Sequence, residues 1–184
     1  MERETRLKSD IKRLFIEKKP CYSVEAEGLK KDLIATLRLN NLQKVRILNR
    51  YDVANISEAE LRLAISTVFS EPPVDLAFSE DFPFNPEDRV FTVEYLPGQY
   101  DQRSDWAAQC LQILTQREKP IVRSAKVFVL EGALSDFEFQ KIKDYCINRV
   151  EAREASFEKP NSLSLESLVR SEEHTSELQS RHNL

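Results

Sequence analysis

The stretch Phe15-Ile16-Glu17-Lys18-Lys19-Pro20 returns in the second half of the chain as Thr92-Val93-Glu94-Tyr95-Leu96-Pro97. A second pair of stretches, Ile56-Ser57-Glu58 and Leu134-Ser135-Asp136, is separated by almost the same distance along the chain. Because the order of segment types between these stretches is also preserved, the sequence indicates an internal duplication. Repeats of this length need each other to bury one continuous apolar surface. We therefore predict a two-unit scaffold in which neither half is an enzyme by itself.

The composition is that of a globular protein. With 184 residues, of which 41% are hydrophobic and 32% charged, the chain can bury about two thirds of its unfolded surface. No apolar run approaches the roughly 18 residues of a membrane span, and the N-terminus lacks the apolar stretch of a signal peptide. We therefore expect a cytoplasmic protein that does not bind membranes.

The number and spacing of the cysteines and the net charge argue against several classes of function. Cys21, Cys110 and Cys146 are far apart and odd in number, which argues against a disulfide framework or a zinc site. A net charge of −4 gives no long-range attraction for nucleic acid. The least favoured alternative is a weak RNA-binding module. Its basic residues would be Lys12, Arg13, Lys18, Lys19 and Arg46.

The sequence lacks the side chains that most catalytic mechanisms require. His174 and His182 are the only histidines, so residues 1–169 offer no Ser/His or Cys/His pair and no imidazole base. The three glycines are isolated, so no glycine-rich loop can cradle a phosphate. The carboxylate pairs Glu80-Asp81 and Glu87-Asp88 flank prolines, which favours solvated loop charge over acid/base work. We predict no catalytic, cofactor-binding or metal-ligating residue.

Hydrophobic periodicity gives both halves the same order of elements. The first half is predicted to contain strand 13–17, helix 24–39, strand 45–53, a helix from 57 to about 69, and strand 74–78. The second half is predicted to contain strand 90–95, helix 105–115, strand 126–130, helix 135–146 and strand 150–155. Ser57-x-x-Glu60 and Ser135-x-x-Glu138 are capping boxes that open the second helix of each half. The fold class is α+β, with helices packed on small antiparallel or mixed sheets.

The domain organisation follows from this order. Residues 10–80 form the first repeat unit, 81–88 a proline-stiffened junction loop, and 89–157 the second unit. Residues 158–169 begin a linker. The stretch from Arg170 onward resembles the translation of a sequencing-library adapter, so residues 170–184 are predicted to be a non-native tail.

Three longer strings carry a family resemblance. They are Val45-Arg46-Ile47-Leu48-Asn49-Arg50-Tyr51-Asp52, Val68-Phe69-Ser70-Glu71-Pro72-Pro73-Val74-Asp75, and Glu94-Tyr95-Leu96-Pro97-Gly98-Gln99-Tyr100-Asp101-Gln102-Arg103. In order and spacing they resemble the N-terminal region of the large, single-chain phosphoribosylformylglycinamidine synthase of purine biosynthesis. The resemblance covers about residues 12–165. In that family this region looks like a fused pair of the small accessory subunit of the multi-chain enzyme.

The resemblance implies a glutamine-dependent ligase as the parent protein. The family's complete enzyme uses ATP and magnesium to activate formylglycinamide ribonucleotide, and then displaces the activated oxygen with ammonia from glutamine. The family places the nucleotide site and the cysteine nucleophile in later domains. The expected partners are therefore the synthetase and glutaminase domains of the parent chain, with no cofactor bound by the present chain.

One polar segment is the best candidate for contact with those domains or with the edge of their substrate site. Its residues are Gln99, Asp101, Gln102 and Arg103. The alternative is a capped turn, in which Asp101 or Ser104 binds free backbone amides.

Two residues depart from the family pattern. Ser104 and Trp106 lie where the family has Ala and Ser, so the family's surface does not transfer in detail.

A second function remains open at the level of sequence. Duplicated small α+β units often leave a crevice between them, so the chain could be a free-standing regulatory domain that binds a metabolite.

Overall fold

The fold is one six-stranded antiparallel sheet with four helices on one of its faces. The structure is a computed structural model and describes residues 11–163. The first half contains β1 (Lys12–Lys18), α1 (Val24–Leu37), β2 (Leu42–Ala54), α2 (Glu58–Ala64) and β3 (Asp75–Ser79). The second half contains β4 (Arg89–Tyr95), α3 (Gln102–Thr115), β5 (Ile121–Gly132), α4 (Asp136–Cys146) and β6 (Ala152–Ala155). A 3₁₀ turn, Pro20–Tyr22, precedes α1, and a π-helical turn, Ile65–Phe69, continues α2.

The predicted α+β class and the order of elements in each half are confirmed. The expected small sheets are instead one continuous sheet, with strand order β3-β1-β2-β5-β4-β6. They join because β2 and β5 are the two longest strands and pair antiparallel over nearly their whole length. All strand pairs within residues 11–163 are antiparallel, so this sheet is not of the mixed type.

The two halves share the same hydrogen-bonding register. Phe15 lies opposite Arg50 between β1 and β2, and Thr92 lies opposite Val127 between β4 and β5. Thr92 follows Phe15 along the chain by the same number of residues as Val127 follows Arg50. The edge strands follow the same rule, because Phe78 of β3 lies opposite Phe15 and the equivalent residue Ala155 of β6 lies opposite Thr92. A one-residue slip would turn every side chain to the opposite face of the sheet. The shared register is therefore a close structural repeat.

An approximate two-fold axis relates the halves and passes through the centre of the sheet. Between β2 and β5, Asn49 lies opposite Lys126, and these two residues occupy equivalent positions of the two halves. A pair that the repeat maps onto itself marks the position of the axis. The two-fold axis therefore passes through the sheet between Asn49 and Lys126.

The helices pack across the two halves. The first helix of each half contacts the second helix of the other half, so that α1 packs on α4 and α3 on α2. Leu33 of α1 and Leu111 of α3 are fully buried at equivalent positions of two separate core clusters. Each cluster draws side chains from both halves, so neither half contains a complete core of its own.

Both predicted capping boxes are confirmed. The Ser57 hydroxyl accepts from the Glu60 backbone N–H, while the Glu60 carboxylate accepts from the Ser57 backbone N–H at 2.9 Å. Ser135 and Glu138 repeat these bonds at the start of α4. Each box satisfies backbone donors that the first turn of a helix leaves without partners.

The face without helices is covered by aromatic residues from the chain's loops. Phe15 of the sheet contacts Phe82, at 4.8 Å between ring centroids, and Phe157 at 6.2 Å. Phe82 and Phe84 come from the predicted junction loop, and Phe157 comes just after β6. These rings replace a helix layer over a small apolar patch of the sheet.

Arginines hold the segment after β6 on the same face. Arg13 Nη1 donates to the carbonyl of Phe157 at 2.6 Å, and Arg50 Nη1 donates to that of Ser156 at 2.9 Å. Further along, Leu163 is buried. The described part of the predicted linker therefore packs against the sheet, and the predicted tail at 170–184 lies outside the described residues.

The predictions for α3 need correction. Its first residue is Gln102 and not 105, because Asp101 caps it. Trp106 and Ile113 are large apolar residues of this helix, but they are 62% and 71% exposed. The packing face is instead formed by smaller residues, Ala107 and Ala108, together with Leu111.

Strand β6 also starts later than the expected residue 150. Asn148 accepts backbone hydrogen bonds from Glu151 and Ala152, which closes a turn over that stretch. Val150 lies at this turn and is 81% exposed. Its apolar side chain thus belongs to a turn and not to the sheet.

Candidate functional site

A concavity among the described residues lies on the helix-bearing face, beside the two-fold axis. We call it the central groove; it encloses about 820 Å³. Its floor comes from β4, β5 and β2, and its walls from α3 and from the segments around the C-termini of α2 and α4. It is lined by Tyr51, Val68, Val93, Glu94, Tyr95, Asp101, Gln102, Arg103, Trp106, Ala107, Cys110, Ser124, Ala125, Lys126, Phe128, Cys146, Asn148, Glu151 and Ala152.

Asp101 is held in place by three donors. Its carboxylate accepts from the Ser104 backbone N–H at 3.1 Å, from the Ser104 hydroxyl, and from the Ser124 hydroxyl at 2.8 Å. This is the capped turn that the sequence left open as an alternative. Asp101 caps α3 and ties it to β5, so it positions the groove wall and has little free capacity for a ligand.

Arg103 is the charged residue of the groove with donors to spare. Its Nη1 donates to the Tyr51 hydroxyl at 3.3 Å, and no carboxylate lies within ion-pair distance among residues 11–163. Partial burial lowers the pKa of Arg103, but the hydrogen bond from Arg103 to Tyr51 and attraction by Glu25 and Asp101 raise it above its ordinary value. The guanidinium therefore stays charged and can bind an anion.

The axis pair contributes two further polar groups. Lys126 Nζ lies 2.5 Å from Glu25 Oε1, an ion pair that links β5 to the start of α1. Asn49 Oδ1 is buried and has no hydrogen-bond donor among the described residues. Asn49 lines a smaller groove of about 370 Å³, which shares Tyr51 and Arg103 with the central groove. A buried acceptor without a donor is costly, so a ligand donor would be favourable there.

Two cysteines, Cys110 and Cys146, line the central groove. Burial raises the pKa of the Cys146 thiol to about 11. A thiolate is therefore scarce at neutral pH, and Cys146 is a weak nucleophile. Cys146 packs against the core cluster around Leu33.

The structure brings three of the four predicted contact residues to the groove. Asp101, Gln102 and Arg103 line it, whereas Gln99 lies in the preceding turn, is exposed, and does not line it. Sequence reasoning missed the floor residues Tyr51 and Lys126. A signal was present, since Asn49 and Tyr51 of β2 and Ser124 and Lys126 of β5 are polar residues at alternate positions whose neighbours on the same face are apolar.

The basic residues considered for RNA binding are used within the fold. Arg13 forms a buried ion pair with Asp52 at 2.6 Å, and Arg46 pairs with Glu17 at 2.7 Å. The remaining contacts are Lys18 with Asp75, Lys19 with the carbonyls of Pro72 and Pro73, and Lys12 with Glu58. Four of these cations lie on or directly after β1 and the fifth lies on β2, and each has a partner within the fold.

The acidic loop pairs likewise bond to nearby groups. Asp81 accepts from the Phe82 backbone N–H and Asp88 from that of Asn85, both at 2.8 Å. Glu80 pairs with Lys159. Within residues 11–163 no group of three or more His, Cys, Asp or Glu side chains is arranged to hold a metal ion.

Within the same residues, every helix is too short or too polar to cross a membrane. In comparisons with known proteins, no protein-family model and no curated protein matches this chain.

Proposed function

We propose that this chain is the N-terminal scaffold and docking domain of a phosphoribosylformylglycinamidine synthase. In the parent enzyme, formylglycinamide ribonucleotide, ATP and glutamine would give formylglycinamidine ribonucleotide in de novo purine biosynthesis, with a cytoplasmic location. The synthetase and glutaminase domains would supply ATP, magnesium and the catalytic residues. The present domain would seat those domains and carry out no chemistry itself.

The observation that carries this proposal is the repeated register of the sheet. The resemblance implies a fused pair of accessory subunits, and two units related by one constant displacement along the chain and by one two-fold axis support such a fusion. The groove lining also fits a role without chemistry, because Cys146 is a weak nucleophile and Asp101 is occupied by three donors.

Complementation tests the proposal. A single-chain synthase of this family would be produced without its first domain, and ATP hydrolysis dependent on glutamine and formylglycinamide ribonucleotide would be measured with and without the present chain. We expect the truncated enzyme to be inactive and the added chain to restore activity in proportion to its concentration. A folded chain that neither binds nor restores the truncated enzyme, or that converts the ribonucleotide unaided, contradicts the proposal.

A second candidate function is regulation through a metabolite bound in the central groove. It is favoured by one specific combination, the spare donors of Arg103 and the buried acceptor of Asn49 in adjoining grooves. A small molecule with an anionic group and an N–H or O–H donor would satisfy both. The apolar floor at Phe128 and the rim at Trp106 would cover its remaining surface.

Calorimetry with amino acids and purine nucleotides as probes separates this candidate from the first. Binding that Arg103→Ala weakens at least about tenfold, and that Arg149→Ala leaves unchanged, would support a regulatory site. Arg149 is the control because its ion pair with Asp144 is exposed and the residue does not line the groove. Absence of heat and of any thermal shift with every probe would leave the scaffold as the only candidate.

A further inference from the structure

The internal repeat relates two pairs of polar residues beside the two-fold axis. Asn49 of β2 is equivalent to Lys126 of β5. Glu25 is equivalent to Arg103, because each is the second residue of its helix and precedes the fully buried leucine of that helix by the same number of residues. The pair formed by Lys126 and Glu25 in one half therefore corresponds to Asn49 and Arg103 in the other.

Only one of these two pairs is bonded internally. Lys126 Nζ lies 2.5 Å from Glu25 Oε1. At the corresponding place Arg103 donates to the Tyr51 hydroxyl instead, and the buried Oδ1 of Asn49 receives no hydrogen bond from residues 11–163. The second pair thus keeps hydrogen-bonding capacity that the first pair has used.

Tyr51 adds an unused donor to the second pair. Tyr51 is only 6% exposed, and it lines both the central groove and the smaller groove of about 370 Å³. Its hydroxyl oxygen accepts from Arg103, but its own O–H has no acceptor among the described residues. The equivalent residue of β5 is Phe128, so the fold packs at this position without a hydroxyl. A buried hydroxyl that packing does not need is well placed to bind a ligand.

The charges of the smaller groove, which we call the axis groove, balance except for two. Its charged lining residues are Lys18, Glu25, Glu71, Asp75 and Arg103. Glu25 is paired with Lys126, and Asp75 is paired with Lys18 at 2.8 Å. Arg103 and Glu71 have no opposite charge within ion-pair distance among residues 11–163. One unpaired charge of each sign makes the axis groove complementary to a zwitterion.

The spacing of the polar groups suits a small zwitterion. Asn49 and Tyr51 are next neighbours on one face of β2, so their backbone positions are about 7 Å apart. A molecule whose two charged groups share one carbon atom can span this distance with a hydrogen bond at each end. A phosphate dianion would meet the Glu71 carboxylate, and a simple amine would leave Arg103 without an anion.

We propose that the axis groove binds a free α-amino acid. Its carboxylate accepts from Arg103 and from the Tyr51 hydroxyl, and its ammonium group donates to Asn49 Oδ1, while Glu71 supplies the balancing negative charge. This inference rests on the second candidate function, regulation by a bound metabolite, and names the class of that metabolite. It does not depend on the docking role.

Calorimetry of the full chain with the common L-amino acids as probes tests the proposal. We expect at least one of them to bind. Its analogue without the carboxylate and its analogue without the ammonium group should each bind at least about tenfold more weakly, because each leaves one charge of the axis groove unpaired. Binding of a purine nucleotide and of no amino acid would overturn this inference but keep the regulatory candidate. The docking role is tested separately by complementation.

Variants copied from the other half of the repeat give the sharpest control. Tyr51→Phe, which copies Phe128, should keep the fold and weaken binding at least about fivefold. The double variant Asn49→Lys with Arg103→Glu copies the bonded pair of Lys126 and Glu25, so it should unfold as cooperatively as the unaltered chain and bind no amino acid.

Arg149→Ala, on an exposed ion pair outside both grooves, should bind as the unaltered chain does. Absence of heat with every amino acid at up to about 10 mM, which is weaker than the roughly millimolar limit of a specific site, overturns the proposal. Binding that the folded double variant retains overturns it as well.

Discussion

At the scale of single residues, the most constrained charge lies on the face without helices. Asp52 accepts two hydrogen bonds from Arg13, at 2.6 and 2.9 Å, and both side chains are almost completely buried. Arg50 lies 3.4 Å from the same carboxylate. Burial and the neighbouring Arg13 lower the pKa of Arg50, whereas attraction by Asp52 raises it. Asp52 therefore compensates two buried cations.

We expect Asp52→Asn to lower the free energy of unfolding by about 3–5 kcal/mol, because the buried Arg13 guanidinium would lose its counter-charge and Arg50 would keep only Glu94, at 3.9 Å. Urea denaturation followed by circular dichroism measures this change. Glu131→Gln is the control, since the Glu131–Lys44 pair is partly exposed and should be worth less than about 1 kcal/mol. A loss below about 1 kcal/mol for Asp52→Asn would show that the buried pair is not required.

Asp101 gives a second prediction at this scale, which separates its capping role from a binding role. Asp101→Ala removes the cap of α3 and the bond to Ser124, so it should cost about 1–2 kcal/mol of stability in urea denaturation. Gln99→Ala, at the exposed neighbouring turn, should change stability by less than about 0.5 kcal/mol. Equal effects of the two substitutions would contradict the capping role.

At the scale of elements, two glycines have opposite roles. Gly28 lies in the exposed middle of α1, and an added Cβ would meet nothing within 4 Å. Gly132 ends β5 with a φ of +141°, and a Cβ there would lie 2.0 Å from the carbonyl oxygen of Asn41. The first is a weak point of a helix, and the second is required by the close approach of two backbones.

We therefore expect Gly28→Ala to raise the unfolding free energy by about 0.5–1 kcal/mol, since alanine has the higher helix propensity. Gly132→Ala should lower it by more than about 2 kcal/mol, because both its φ and its contact with Asn41 are incompatible with a side chain. Thermal and urea unfolding of the two variants measure these changes. Similar effects for both would mean that the Gly132 backbone can relax, against this prediction.

The helices and strands also show how much of the fold can be predicted from the sequence. Strand and helix order followed from periodicity, and the two capping boxes followed from a four-residue pattern, because these signals are local. The orientation of α3 did not follow. Trp106 and Ile113 are spaced for one side of a helix as well as Ala107 and Leu111 are, so hydrophobic spacing alone does not select the packing face. In the structure Ala107, Ala108 and Leu111 pack on the sheet, and the two alanines allow the helix to approach it closely.

At the scale of the whole molecule, the exchange of helix contacts makes the halves interdependent. The cluster around Leu14 and Val53 includes Ala107 and Leu111 of the second half, and the cluster around Phe91 and Leu130 includes Leu33 of the first. Removing one half would expose an apolar face of the other.

We therefore expect the full chain to unfold in a single transition, and residues 1–80 or 81–184 produced alone to lack cooperative unfolding. Calorimetry and two-dimensional NMR of the three proteins check this, and mixing the two halves should restore a folded complex because their cores are complementary. Two separate transitions in the full chain, or a half with dispersed resonances as a monomer, would contradict it.

The candidate site also belongs to this scale. The segment of Asp101 and Arg103 could be selected from its polarity, but its partner Tyr51 and the axis residue Asn49 belong to the other half of the chain. Only the pairing of β2 with β5 brings them together. No local pattern encodes that contact, so sequence reasoning found one wall of the groove and missed its floor.

The duplication, the α+β class, the order of elements and the caps of α2 and α4 could be predicted from the sequence, because each depends on residues close together in the chain or on a comparison of the chain with itself. Tertiary packing was needed to show that the two units share one sheet, that a groove lies beside their common axis, and that Trp106 is exposed. Those features depend on which apolar faces meet, and many pairings are compatible with one hydrophobic pattern until strand register and close packing select a single arrangement.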